Sequence, residues 1–167
     1  MKITAQEEYG LRCLLQLARR HGTPEPVTVR EIAANEGISV AYAEKLLHRL
    51  SKFGLAESVR GVKGGFRLTR SPEAMTVGDA VRALGSFLTH AAICQRYTGD
   101  EARCVHNKNC GLRSVWSTVN YHILRLFDSL PLAILLKGER DSRQQIMEIA
   151  TFALAAPRAS ASRGGFP

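Results

Sequence analysis

Three of the chain's four cysteines, Cys94, Cys104 and Cys110, fall in one polar stretch, CQRYTGDEARCVHNKNC. Nine residues separate the first two and five the last two. In a reducing compartment, clustered thiols bind metal or do redox work more often than they form structural disulfides. Three thiolates suit an iron–sulfur cluster whose remaining site takes a weaker ligand, which makes the cluster labile enough to act as a sensor. Cys94, Cys104, Cys110 and His106 are also a permissible set for structural zinc. A metal-free thiol switch is the third option. Arg96, Arg103, His106 and Lys108 lie around the thiols and favour an anionic ligand set. Cys13 stands apart, beside an apolar helical stripe, and is expected in the core.

A second group of residues carries charge rather than ligands. The 167 residues have a formal net charge of +8, and residues 1–70 hold twelve Lys/Arg against seven Asp/Glu. Such a balance points to an acidic partner, nucleic acid before a membrane surface. Tyr42, Lys45, Arg49 and Lys52 recur at helical spacing and predict a basic helix face. Arg60 and Lys63 flank glycines in the turn RGVKGG, where Gly61 and Gly64 let backbone approach phosphates or a narrow minor groove closely.

These residues need elements to position them. Thr4–Glu7 is a capping-box pattern that opens a helix carrying Leu11, Leu14, Leu15 and Ala18. Thr28–Glu31 opens a short helix ending at Gly37. A third helix runs through VAYAEKLLHRLSKFG, with Ala43, Leu46, Leu47, Leu50 and Phe53 as its apolar stripe. Short helix, tight turn and basic-faced helix together read as a helix-turn-helix, whose second helix can enter a major groove. LAESVRGVKGGFRL reads as a β-hairpin wing. Thr76–Asp79 caps a further helix. From Leu112 through Val115, Trp116, Val119, Ile123, Leu126 and Phe127 to Leu130, apolar residues recur at steps of three and four, a seam wide enough for a partner helix, which Pro131 ends. Residues 139–155 form one more amphipathic helix in this reading, and APRASASRGGFP is a low-complexity tail.

The fold expected is mainly α, a winged helix-turn-helix over residues 1–75, a sensor loop and long helix over 76–138, and a C-terminal helix and tail over 139–167. MKITAQEEYG places two acids where a signal peptide's apolar run would begin, and no apolar window is long enough to span a bilayer, so a cytoplasmic location without membrane contact is expected. No nucleophile–base set, phosphate loop or dinucleotide fingerprint is found, which argues against an enzyme and a small-molecule substrate.

The segments EEYGLRCLLQLAR, EIAANEGIS, GLAESVRGVKGGFRL and TVGDAVRALG, with the three cysteines that follow, resemble the IscR/NsrR/RirA group of bacterial winged-helix regulators over roughly residues 1–135. The resemblance implies a homodimeric transcription regulator, acting as a repressor on a pseudo-palindromic double-stranded DNA operator. It implies DNA contacts from Ser39, Tyr42, Glu44 and Lys45 on the reading helix, and from Arg60 and Gly61 at the wing tip. It makes the 112–130 seam the dimerisation helix. It implies an iron–sulfur cluster, 2Fe–2S or 4Fe–4S, on Cys94, Cys104 and Cys110; a labile cluster can be lost on purification in air. Two departures stand out. The gap between Cys94 and Cys104 exceeds the family's usual one. Arg113 occupies the place where some members have a histidine ligand, while Glu8 stands where others draw a carboxylate from the partner's first helix.

Overall fold

A computed structural model describes residues 3–61, 64–85, 104–106 and 109–155. Cys94, Lys63 and the 156–167 tail lie outside them. Among the described residues there are six α-helices and one antiparallel hairpin: α1 Ala5–Arg19, α2 Val29–Glu36, α3 Val40–Lys52, β1 Ala56–Val59, β2 Gly65–Leu68, α4 Val77–Leu84, α5 Gly111–Ser129 and α6 Glu139–Ala155. The mainly helical winged helix-turn-helix expected from the sequence is the fold observed.

The caps set the helix boundaries. Thr4 accepts the Glu7 N–H, and the Glu7 carboxylate returns to the Thr4 N–H and hydroxyl at 2.8 Å each, so two groups that a helix start leaves unpaired satisfy each other. Thr28 likewise accepts the Glu31 N–H, but the Glu31 carboxylate turns to Arg20 at 3.3 Å instead of closing the box. Gly37 ends α2 in the left-handed region (φ 64°), where a side chain would be strained. Ser39 caps α3 two residues later. Together Gly37 and Ser39 make the turn between the two helices.

Leu14, Leu17, Ile32, Leu46, Leu47 and Leu50 are almost completely buried and form one core with Phe66 and Leu68 of the hairpin. Phe53, expected in the α3 stripe, is 54% exposed. It is the C-cap of α3, so its side chain no longer follows the helical repeat. β1 and β2 pair from Ala56–Leu68 to Val59–Gly65, and Val27 exchanges two further backbone bonds with Phe66 at 2.9 and 3.0 Å. A Cβ on Gly65 would collide with the Val27 carbonyl, so glycine is what permits this approach.

The core continues across residues 75 and 76. Ala80, Ala83 and Leu84 of α4 and Leu132 beyond α5 join the same cluster, and Gly10 lets α1 close directly onto Leu84. The chain leaving α5 pairs with the chain entering α4: the Val77 N–H bonds to Leu130 O at 2.9 Å, and the Leu132 N–H to Met75 O at 2.7 Å. Val77, Val81, Leu130 and Ile134 make a second cluster, on which Ile146 and Ile149 of α6 pack. The expected amphipathic helix over 139–155 is present. Only the lower half of α5 is covered in this way. Towards its start, Leu112, Val115, Trp116 and Val119 are 68, 53, 46 and 40% exposed.

Candidate functional site

Two places carry the chemistry. The first is formed by α3 and the hairpin. An α-helix turns roughly 100° per residue, so residues seven apart lie almost above one another. Ala43, Leu46, Leu47 and Leu50 face the core, which turns Ala41, Glu44, Lys45, His48 and Lys52 to solvent, and all five are exposed. Tyr42 and Arg49 sit on the flank. Tyr42 is half-buried, edge-on to the Tyr9 ring of α1 with centroids 6.3 Å apart. Arg49 is half-buried, and its Nε donates to the Ala83 carbonyl of α4 at 2.6 Å. Tyr42, Lys45, Arg49 and Lys52 therefore do not share one free stripe. Ser39 is exposed, and its hydroxyl oxygen accepts the Tyr42 N–H at 3.2 Å.

His48, to which sequence reasoning assigned no special role, lies on this exposed face. It lies 3.6 Å from the Glu44 carboxylate and edge-on to Phe66 of β2, ring centroids 5.7 Å apart, so it joins the exposed face to the hairpin. Its spacing of four from Glu44 was the available signal.

At the hairpin tip Arg60 and Gly61 are exposed, and Gly61 has φ 129°, a conformation that a side chain disfavours. The Gly64 N–H bonds to Gly61 O at 2.9 Å, and a Cβ on Gly64 would lie 2.7 Å from the Val59 carbonyl oxygen. The glycines thus build a narrow tip that presents Arg60.

Ion pairing sorts the cations. Arg12, Arg20, Arg67, Arg70 and Arg82 are each held by a carboxylate. Among the described residues Lys45, Lys52 and Arg60 enter no such pair. The positive charge left for an external partner therefore includes the exposed face of α3 and the hairpin tip.

The second place is the cysteine segment. Cys104 and Cys110 are free, half-buried thiols, and Cys110 is the N-cap of α5, its side chain making no capping bond. His106 is exposed. Cys94 lies outside the described residues, and among those residues no group of three or more His, Cys, Asp or Glu side chains is gathered to hold a metal. Glu8 is about half exposed and paired with Arg12 Nε at 2.7 Å. Its neighbour Glu7 is the buried acid, committed to the α1 cap. Cys13 is fully buried; burial, then the Glu36 charge, push its thiol up to about 12, so it stays protonated and unreactive.

Between the two places stands α4. Its own capping box is closed by Thr76 and Asp79, and the Asp79 carboxylate also holds Arg70 at 2.7 Å and Arg82 at 3.1 Å. Partial burial alone would raise its carboxyl, but the hydrogen bonds from Thr76 and Arg82 and the nearby Arg70 charge together outweigh this and hold it below the usual range. Arg82 reaches on to Asp128 of α5 at 2.6 Å.

Comparison with known proteins gives a consistent result. The Rrf2 family, described as an iron-dependent transcriptional regulator, matches residues 3–138. The protein rrf2 of Nitratidesulfovibrio vulgaris is 34% identical over 137 residues, 82% of this chain and 88% of that protein. The regulator IscR of Yersinia pestis is 31% identical over 150 residues, covering 90% of this chain and 85% of its own. Among solved structures, T. potens IscR superposes with a TM-score of 0.62 at 32% identity, over 81% of this chain and 86% of the other. CymR of B. subtilis, described as the global cysteine regulator, gives 0.64 at 28% identity, over 81% and 96%. No helix among the described residues is long and apolar enough to cross a membrane.

Proposed function

Because the chain belongs to the Rrf2 family of transcriptional regulators, proteins that act on transcription and are not enzymes, we propose that it is a homodimeric DNA-binding regulator whose operator affinity is set by an iron–sulfur cluster on Cys94, Cys104 and Cys110. The observation that carries the DNA-binding part is the unpaired charge of Lys45, Lys52 and Arg60, exposed on a helix and a hairpin that share one core. The α3 face of Ala41, Glu44, Lys45, His48 and Lys52 enters a major groove, and Arg60 at the tip reaches the flanking backbone or minor groove. Glu44 and His48 are placed to read base edges. Lys45 and Lys52 supply phosphate affinity, about one unit of salt dependence each at most.

Dimerisation is proposed from α5. Leu112, Val115, Trp116 and Val119 form one exposed apolar face over two turns, and a second α5 across a two-fold axis would cover it. The two reading helices would then lie about one turn of DNA apart.

Three thiols are the natural donor set for a cluster, Cys104 and Cys110 are free and half-buried, Cys110 at the start of α5, and the family is described as iron-dependent. The cluster, when bound, supplies a group that oxidation, nitrosylation or iron loss can alter. The protein's part is to hold it beside α5. Glu8 is the proposed further ligand, from the partner's α1, and it would have to release Arg12 to serve.

The test is the visible spectrum of protein purified without oxygen, with iron, sulfide and zinc quantified on the same sample. Broad visible absorption with matching iron and sulfide supports the cluster. A colourless protein with about one zinc per chain would make the cysteine segment a structural clip and remove the sensor.

A further inference from the structure

We infer that Arg49 is a positioning residue, which ties the reading helix to the last turn of α4 so that α4 carries the state of the cysteine segment to DNA. The inference rests on the proposed cluster-controlled function for its signal, but not for the tie itself.

The geometry is specific. A helix C-terminus leaves its last carbonyls unpaired and carries the negative end of the helix dipole. In α4 two of these carbonyls are claimed by other helices. Arg49 of α3 donates to Ala83 O at 2.6 Å, and Gln6 of α1 donates its side-chain amide to Leu84 O. Glu7, buried in the α1 cap, lies against the next residue, where a Cβ on Gly85 would come within 2.7 Å of its carboxylate. The first turn of α1 and the flank of α3 thus grip the same turn of α4. From Gly85 the chain runs on towards Cys94.

The start of α4 is held where α5 ends: the Val77 N–H bonds to Leu130 O at 2.9 Å and Gly78 packs directly against Asp128, while Arg82, from the last turn of α4, bonds to Asp128 at 2.6 Å. A displacement of α5 is therefore passed to α4, and among the described residues α4 meets α3 directly through core packing and the Arg49 bond. The position of Arg49 on the flank supports the assignment. It is half-buried, seven residues from Tyr42, which also packs back onto the domain, whereas Lys45 and Lys52 are exposed.

A tie and a phosphate contact make different predictions. The experiment measures affinity for a selected operator and for random duplex as a function of salt, on full-length protein with and without its cluster, for wild type, Arg49→Met, Arg49→Lys and Lys45→Met. As a contact, Arg49 would lose about one unit of salt slope in Arg49→Met and regain it in Arg49→Lys, as a charge needs no fixed geometry. As a tie, both Arg49 variants keep the wild-type slope and lose operator preference over random duplex by about tenfold, while Lys45→Met loses slope. Where wild type shows a ratio of affinities between the two cluster states, the tie also predicts that both variants shrink that ratio at least fivefold. A slope lowered in Arg49→Met and restored in Arg49→Lys overturns the inference, as do wild-type slope and operator preference in both variants. Equal wild-type affinity with and without the cluster would refute cluster control alone, because slope and preference still report on the tie.

Discussion

Cys13 and Gly65 show how single positions constrain this protein. Cys13 is fully buried, and its thiol is pushed up to about 12 from an ordinary 9.0. Unfolding frees it to ionise at the lower value, so the folded state holds its proton longer. Its contribution to stability is complete below pH 9 and is lost progressively between pH 9 and 12. The stability gap between wild type and Cys13→Ala should therefore be constant at neutral pH and narrow above pH 9, measured by denaturant unfolding; a gap that widens with pH would contradict the sign. Alkylation of the apo-protein should modify Cys104 and Cys110 well before Cys13. Gly65 is constrained by backbone instead. Gly65→Ala drives a Cβ into the Val27 carbonyl, and the hairpin must part from Val27 to admit it. We expect a loss of about 1–3 kcal/mol, seen as a lower denaturation midpoint. An unchanged midpoint would mean that the approach is not needed. The two were unequally legible in the sequence. Cys13 was recognisable as core from its place beside the Leu11–Leu14 stripe, whereas the partner of Gly65 is 38 residues away in sequence and no local pattern names it.

Among the elements, caps and apolar periods made the helices legible. Thr4–Glu7, Thr76–Asp79 and Gly37 mark boundaries through local hydrogen bonds and a local conformation, which sequence records directly. The finer facing of α3 was not legible. A stripe of Tyr42, Lys45, Arg49 and Lys52 is a correct helical spacing, but only the packing of α1 and α4 decides that Tyr42 and Arg49 turn inward while Glu44 and His48 turn out. Phe53 failed for the related reason that the helix had already ended. The seam of α5 divides in the same way: Ile123, Leu126 and Phe127 pack within the chain, and Leu112 to Val119 do not. If that upper face is the dimer contact, Trp116→Glu places a charge in its centre and should convert a dimer to a monomer by light scattering, with helical content retained. A Trp116→Glu protein that remains dimeric would move the interface elsewhere.

At the scale of the whole molecule, the reading head and α5, the helix that Cys110 caps, are joined by shared structure. α4 belongs to the same core as α1 and α3, and the chain leaving α5 pairs with the chain entering α4. The sequence suggested a division at residue 75, between the winged helix-turn-helix and the sensor loop with its long helix, but it holds no record of Leu132 returning to fill the first core. The chain belongs to a family of transcriptional regulators, and the cations of α3 and the hairpin tip that enter no ion pair among the described residues are the surface proposed for that role. In the proposed function the cluster changes DNA affinity through this connected body. The most direct test is the affinity of one selected operator duplex for the same preparation, first loaded with its cluster without oxygen and then stripped of it. We expect the two affinities to differ by tenfold or more, within the range of ordinary allosteric coupling, and Cys104→Ala to behave as the stripped form in both conditions. Equal affinities for loaded and stripped protein would contradict it.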